Sequence, residues 1–165
     1  MKKSLHTSHV AVALALGIIG THSVAQTSIP YKCICQNIGT SPQEQLGDRE
    51  GHTIAVHSYS CRVEGGPLDG AVLTGMGVYD WDKTNAIGIT GNGVGRKAGA
   101  VVVYQLGEFK NSLTMVDGKV TGFLGSGQGI YKLATGTAAA LAGKTFSYTV
   151  RPAGFNQFVL DAKID

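Results

Sequence analysis

The residues best suited to chemistry lie in one stretch, His52-Thr53-Ile54-Ala55-Val56-His57-Ser58-Tyr59-Ser60-Cys61. Side chains alternate between the two faces of an extended strand, so His57, Tyr59 and Cys61 share one face and Ile54, Val56 and Ser58 the other. The alternation does not say which set points inward. If the first set does, His57 and Tyr59 can hydrogen-bond a carbonyl or a phenol. His57 is then the acid–base candidate, because imidazole changes charge near neutral pH. These two are the candidate catalytic residues; the competing reading is an exposed or structurally bonded histidine.

Other constellations are weaker. A metal site from His52, His57 and Cys61 needs three convergent donors, but His52 stands five residues from His57 and faces the other way. No metal and no cofactor is expected. Ser126 lies in Gly-Ser-Gly, without the Gly-x-Ser-x-Gly elbow of a hydrolase, and reads as a turn residue. Gly91-Asn92-Gly93-Val94-Gly95 lacks the Gly-Lys-Ser/Thr ending of a phosphate loop and reads as a turn or bulge. Asp80 and Asp82 flank Trp81 in what reads as a tight turn, Asp80 to Asn85. Two carboxylates at that spacing can serve acid–base work or bind Ca²⁺, and a solvated rim turn is the plainer alternative. Trp81 at a rim can stack on a ring. Tyr59, Trp81 and Tyr104 are the expected ligand contacts.

The elements that position these residues are strands. The chain has 24 glycines and 4 prolines, and the glycines are scattered with no collagen period. Between them run β-formers: His52–Val63, Ala71–Tyr79, Ala86–Thr90, Gly99–Leu106, Lys144–Arg151 and Gln157–Lys163. Leu113–Val116, Asp117-Gly118 and Lys119–Leu124 form a hairpin, since Asp-Gly accepts positive φ at both turn positions. Around Tyr131–Leu141 a short helical turn is the most that Gly136 and Thr137 allow. About eight short strands with turns every ten residues or so fit a sandwich or a barrel. Glycine within strands permits sharp coiling, which favours a single eight-stranded antiparallel barrel.

Export is written at the N-terminus. Met1-Lys2-Lys3 is followed by an apolar run from Val10 to Gly20 and by Ser23-Val24-Ala25, the plan of a cleavable signal peptide. Residues 1–25 are thus expected to be removed, leaving residues 26–165 as one domain in the periplasm or outside the cell. The apolar run is shorter than the ~20 residues that span a bilayer, and no later segment is long enough, so no integral membrane segment remains. Loss of Lys2 and Lys3 leaves 12 basic against 11 acidic residues. With no basic stripe, nucleic acid is an unsuitable partner. In an oxidising compartment Cys61 is expected to bridge to Cys33 or Cys35, which share a face if their segment is a strand.

Gly125-Ser126-Gly127-Gln128-Gly129-Ile130-Tyr131-Lys132-Leu133-Ala134-Thr135-Gly136 resembles the late signature of allene oxide cyclases and plant dirigent proteins, a Gly-x-Gly turn followed by an aromatic and a second glycine. Leu46-Gly47-Asp48-Arg49-Glu50-Gly51-His52 resembles the turn those families place before their second strand. The resemblance implies an eight-stranded antiparallel barrel with an apolar cavity, often in a homo-oligomer. In one family the cavity shapes a reactive epoxide, and in the other it orients phenoxy radicals. The acidic residue that the cyclases carry in the first strand has no counterpart in Tyr31-Lys32-Cys33-Ile34-Cys35, and no catalytic residue carries over. The expectation is an exported barrel that binds a small apolar or aromatic molecule and steers its cyclisation or coupling. The alternative is a non-catalytic envelope protein with a packed barrel, whose function is an interface.

Overall fold

A computed structural model describes residues 28–165; the signal-peptide segment lies outside the described residues. The strands are β1 (Ile29–Asn37), β2 (Gln43–Gln45), β3 (His52–Glu64), β4 (Val72–Asp82), β5 (Asn85–Lys97), β6 (Ala100–Val116), β7 (Lys119–Ala134), β8 (Thr145–Gly154) and β9 (Gln157–Ile164). A 3-10 segment, Gly136–Leu141, separates β7 from β8. Every pairing is antiparallel. β1 pairs with both β9 and β3, which closes β1 and β3–β9 into an eight-stranded barrel. β2 is the additional strand. It takes the place beside the first half of β3 that β1 leaves free, pairing Gln43 with Ala55 while β1 pairs only from Tyr59 onward.

The strands are longer than the sequence suggests, because glycines that read as punctuation lie inside them. Gly91, Gly93 and Gly95 belong to β5, and Gly125, Gly127 and Gly129 to β7. Ser126 is accordingly a strand residue, paired with Lys110 and Thr149, and not a turn residue. The cause is side-chain volume inside a small barrel. A Cβ on Gly93 would stand 2.2 Å from the Tyr104 hydroxyl, and one on Gly129 would stand 2.4 Å from the Phe146 ring. Close packing leaves no space for both. The inward glycines of β4, β5 and β7 are seats for aromatic rings that project from neighbouring strands.

Asp80, Trp81 and Asp82 correct a second expectation. They end β4, and the turn is Lys83-Thr84, with Lys83 at φ 55°. Asp80 and Asp82 face the outer side and Trp81 the inner, as period-two alternation requires. The Asp-Gly hairpin forms as expected, with Asp117 at φ 48° and Gly118 at φ 72°. The two strands it joins are parts of β6 and β7. Their tips run beyond the barrel wall as a ribbon, since β5 pairs with β6 only as far as Ser112 and β8 with β7 only from Gly125.

Burial and the cavity lining show which face of β3 is inside. His57, Tyr59 and Cys61 point inward; Cys61 is buried with Cys33, Cys35 and Val63. Cys61 lies opposite Cys35 and bonds to it, leaving Cys33 free and buried. One end of the barrel is plugged. Leu68 and Ala71 of the β3–β4 loop, Val102, and Ala138 and Leu141 of the 3-10 segment are all buried there. At the other end Asn37, Leu113, Phe123 and Val150 are only half-buried. That end carries the Lys83-Thr84, Asp117-Gly118 and Phe155-Asn156 turns.

Candidate functional site

Between the plug and the half-buried rim lies a cavity of about 270 Å³. Inward positions of the barrel strands build its wall. β3 supplies His57 and Tyr59, β4 Leu73, Tyr79 and Trp81, and β6 Tyr104, Leu106, Asn111 and Leu113. Tyr31, Cys33 and Asn37 come from β1, Phe123 and Tyr131 from β7, Phe146, Tyr148 and Val150 from β8, and Phe158, Leu160 and Ala162 from β9. The protein has six tyrosines and one tryptophan, and all seven are in this wall. Among the described residues no Lys, Arg, Asp or Glu lines it.

The rings pack edge-on and tilted, the geometries that their quadrupoles favour. Tyr59 meets Phe158 at 6.1 Å, Tyr79 meets His57 at 5.4 Å, and Tyr131 meets Phe146 at 5.0 Å between centroids. The phenols are matched only in part. Tyr31 and Tyr131 share a hydrogen bond of 3.1 Å towards the plugged end. The Tyr104 hydroxyl donates to that of Tyr59 at 3.2 Å and has a longer contact, 3.5 Å, with the Thr74 carbonyl. The buried indole N–H of Trp81 has no partner among the described residues.

Burial sets the protonation of the site. It raises the phenols of Tyr59, Tyr104 and Tyr148, and pushes Tyr131 up to about 12. It pushes the Cys33 thiol up to about 12, so this sulfur is a protonated apolar wall group rather than a nucleophile. Burial also lowers His57, which is therefore neutral at pH 7. An uncharged imidazole beside neutral phenols can accept or donate one hydrogen bond and shuttle a proton; it cannot hold an anion electrostatically.

His57, Tyr59, Trp81 and Tyr104, the four residues singled out for ligand contact or chemistry, all reach this one cavity. Asp80 and Asp82 do not. Asp80 bonds His52 and Asp82 bonds Arg49 on the outer side, so the carboxylates flanking Trp81 cannot act together on a ligand inside. The three-donor arrangement of His52, His57 and Cys61 also dissolves. His52 faces outward and Cys61 is in the disulfide. Tyr31, Tyr79, Tyr131 and Tyr148 were missing from the sequence-based set. Their signal was their spacing, since Tyr79 and Trp81, like Phe146 and Tyr148, stand two apart on one face.

Comparison with known proteins finds no matching family model, curated protein or solved structure. Among the described residues no helix is long and apolar enough to cross a membrane.

Proposed function

We propose that this protein is an exported barrel that binds one small, uncharged, largely aromatic molecule in its cavity, in the periplasm or outside the cell. The observation that carries the reading is the cavity wall, which gathers all six tyrosines and the single tryptophan and contains no formal charge. Such a wall favours a neutral ring compound and excludes an ion, because a buried charge without a partner costs several kcal/mol or more. The volume lies at the low end for ligand pockets and suits about ten to fifteen non-hydrogen atoms. The void also weighs against the packed-barrel alternative. The Cys35–Cys61 disulfide fits an oxidising compartment.

Within this reading the cavity acts by shape, like the allene oxide cyclases and dirigent proteins that the late glycine motif resembles. It holds one conformer of a reactive guest and gains selectivity from orientation. Where a proton must move, neutral His57 takes it and Tyr59 hydrogen-bonds the oxygen. Association into a homo-oligomer belongs to the same proposal. Native mass spectrometry of the mature protein from its own envelope tests the reading. A small ring compound released on denaturation supports it. A clean apo mass, together with no binding of phenols or uncharged ring compounds, rejects it.

A further inference from the structure

Several hydrogen-bond donors of the cavity wall have no acceptor among the described residues. A phenol carries one proton and two lone pairs, and an indole only a proton. Tyr104 donates its proton to Tyr59 at 3.2 Å, the shorter of its two contacts. The Tyr59 proton then has no acceptor among the described residues, and the Tyr148 hydroxyl makes no hydrogen bond there either. The Trp81 N–H on the same wall is unmatched. Neutral His57 and Asn111 do not redress this, since each brings donors as well as acceptors. A donor left unmatched in an apolar surround costs free energy that a partner returns.

From this count we infer that the ligand is an uncharged ring compound bearing an exposed acceptor oxygen, a ketone or quinone carbonyl, which takes its hydrogen bond from Tyr59. The inference rests on the ligand-binding reading above and narrows it. Tyr59 is the favoured donor for two reasons. Its hydroxyl lies over Gly75, where a Cβ would stand 2.8 Å from it, so the ring reaches across β4 only because that position has no side chain. It also accepts from Tyr104, and a hydroxyl that accepts becomes a stronger donor. The pair works as a two-step relay, in which Tyr104 donates to Tyr59 and Tyr59 presents the free proton. Tyr148 offers a second donor to a guest with a second carbonyl.

The test compares two bicyclic probes of nearly equal size, 1-tetralone, which carries a carbonyl, and tetralin, which does not. Each is titrated into the full-length mature protein by calorimetry, with Trp81 fluorescence as a second readout. The expected result is that the ketone binds at least about tenfold more tightly than the hydrocarbon, the worth of one hydrogen bond. Tyr59→Phe is expected to remove that preference, so that the ketone binds no more tightly than the hydrocarbon. If both probes bind equally well to the wild type, the acceptor inference is overturned while ligand binding stands. If the ketone preference survives in Tyr59→Phe, Tyr59 is not the donor. If neither probe binds, the binding reading falls as well. Should Tyr59→Phe fail to fold, the ratio of the two affinities in the wild type still decides.

Discussion

Nε2 of His52 lies 2.8 Å from Oδ1 of Asp80, and Nδ1 of the same ring faces the carboxylate of Asp48. Both ring nitrogens thus meet an acid, although the imidazole is only 6 % exposed. A neutral ring has one N–H to give, so the arrangement is complete only for the imidazolium. It fastens the loop before β3 to the end of β4, close to the mouth of the barrel. Arg49, paired with Asp82, opposes the positive charge and moderates the effect.

This latch predicts a two-sided pH dependence. The hydrogen bond that His52 donates to Asp48 raises the His52 pKa above its unfolded value, so its contribution is fully present below the unfolded value and is lost as pH rises through the folded one. The Asp48 carboxyl is lowered, chiefly by its hydrogen bond with His52. Its contribution is present above the unfolded value and is lost as pH falls through the folded one. Thermal melting of the wild type should therefore show stabilisation relative to His52→Gln that is greatest in weakly acid solution and fades on both flanks. A difference in melting temperature that does not vary with pH would refute the latch.

The disulfide should contribute strongly to stability. Cys35 and Cys61 are 26 residues apart, and closing a loop of that size limits the unfolded chain by about 3 kcal/mol. The double substitution Cys35→Ala/Cys61→Ala should lower the urea midpoint accordingly. Cys33 should react with iodoacetamide only after denaturation, because burial keeps its thiol protonated with a pKa of about 12. Rapid labelling of the folded protein at pH 8 would contradict that assignment.

Glycines that seat rings should not tolerate alanine. At Gly93 the new Cβ would stand 2.2 Å from the Tyr104 hydroxyl and 2.4 Å from the Thr74 carbonyl, which is backbone and cannot swing away. Gly93→Ala should cost about 1–3 kcal/mol or more by overpacking. The control is Gly107→Ala, where the nearest atom is 3.7 Å away, and its unfolding free energy should stay within about 0.5 kcal/mol of the wild type. Equal effects at the two positions, measured by urea unfolding, would show that the rings do not depend on these seats.

Filling the void should separate stability from binding. Ala162 lines the cavity from β9. Ala162→Leu adds three carbons to the wall. It should weaken 1-tetralone by at least about tenfold, because the guest and the new side chain compete for one space. The protein should remain folded, and emission from Trp81, the only tryptophan, reports occupancy directly. Unaltered affinity would place the guest elsewhere.

Much of this architecture can be read from local pattern. That His57, Tyr59 and Cys61 share one face follows from period-two alternation, though not that this face is the inner one, and the Asp117-Gly118 hairpin follows from turn chemistry. What cannot be read locally is the meaning of an inward glycine. Gly93 looks like a break because its neighbours Gly91 and Gly95 look the same. Its purpose lies in Tyr104, which reaches it from the paired strand β6. Trp81 reads as a turn residue for a similar reason. Asp80, Asp82 and Asn85 are common turn residues, yet Asp80 has its partner in His52, 28 residues earlier. The disulfide partner of Cys61 needed the register that sets it opposite Cys35.

The ribbon formed by the ends of β6 and β7 leaves part of the molecule chemically unlike the rest. A ring of strands satisfies its own backbone and offers no lateral template to another chain. The ribbon breaks that rule, since residues 113–116 and 119–124 run past β5 on one side and β8 on the other. Beyond Leu113, whose amide donates to the Thr84 carbonyl, their outer amide and carbonyl groups are free to recruit a further strand, and Met115, Val116, Val120 and Leu124 are exposed along them. The tendency of this protein to self-associate through its backbone should therefore be concentrated at the ribbon, where Lys119 supplies the charge that discourages it.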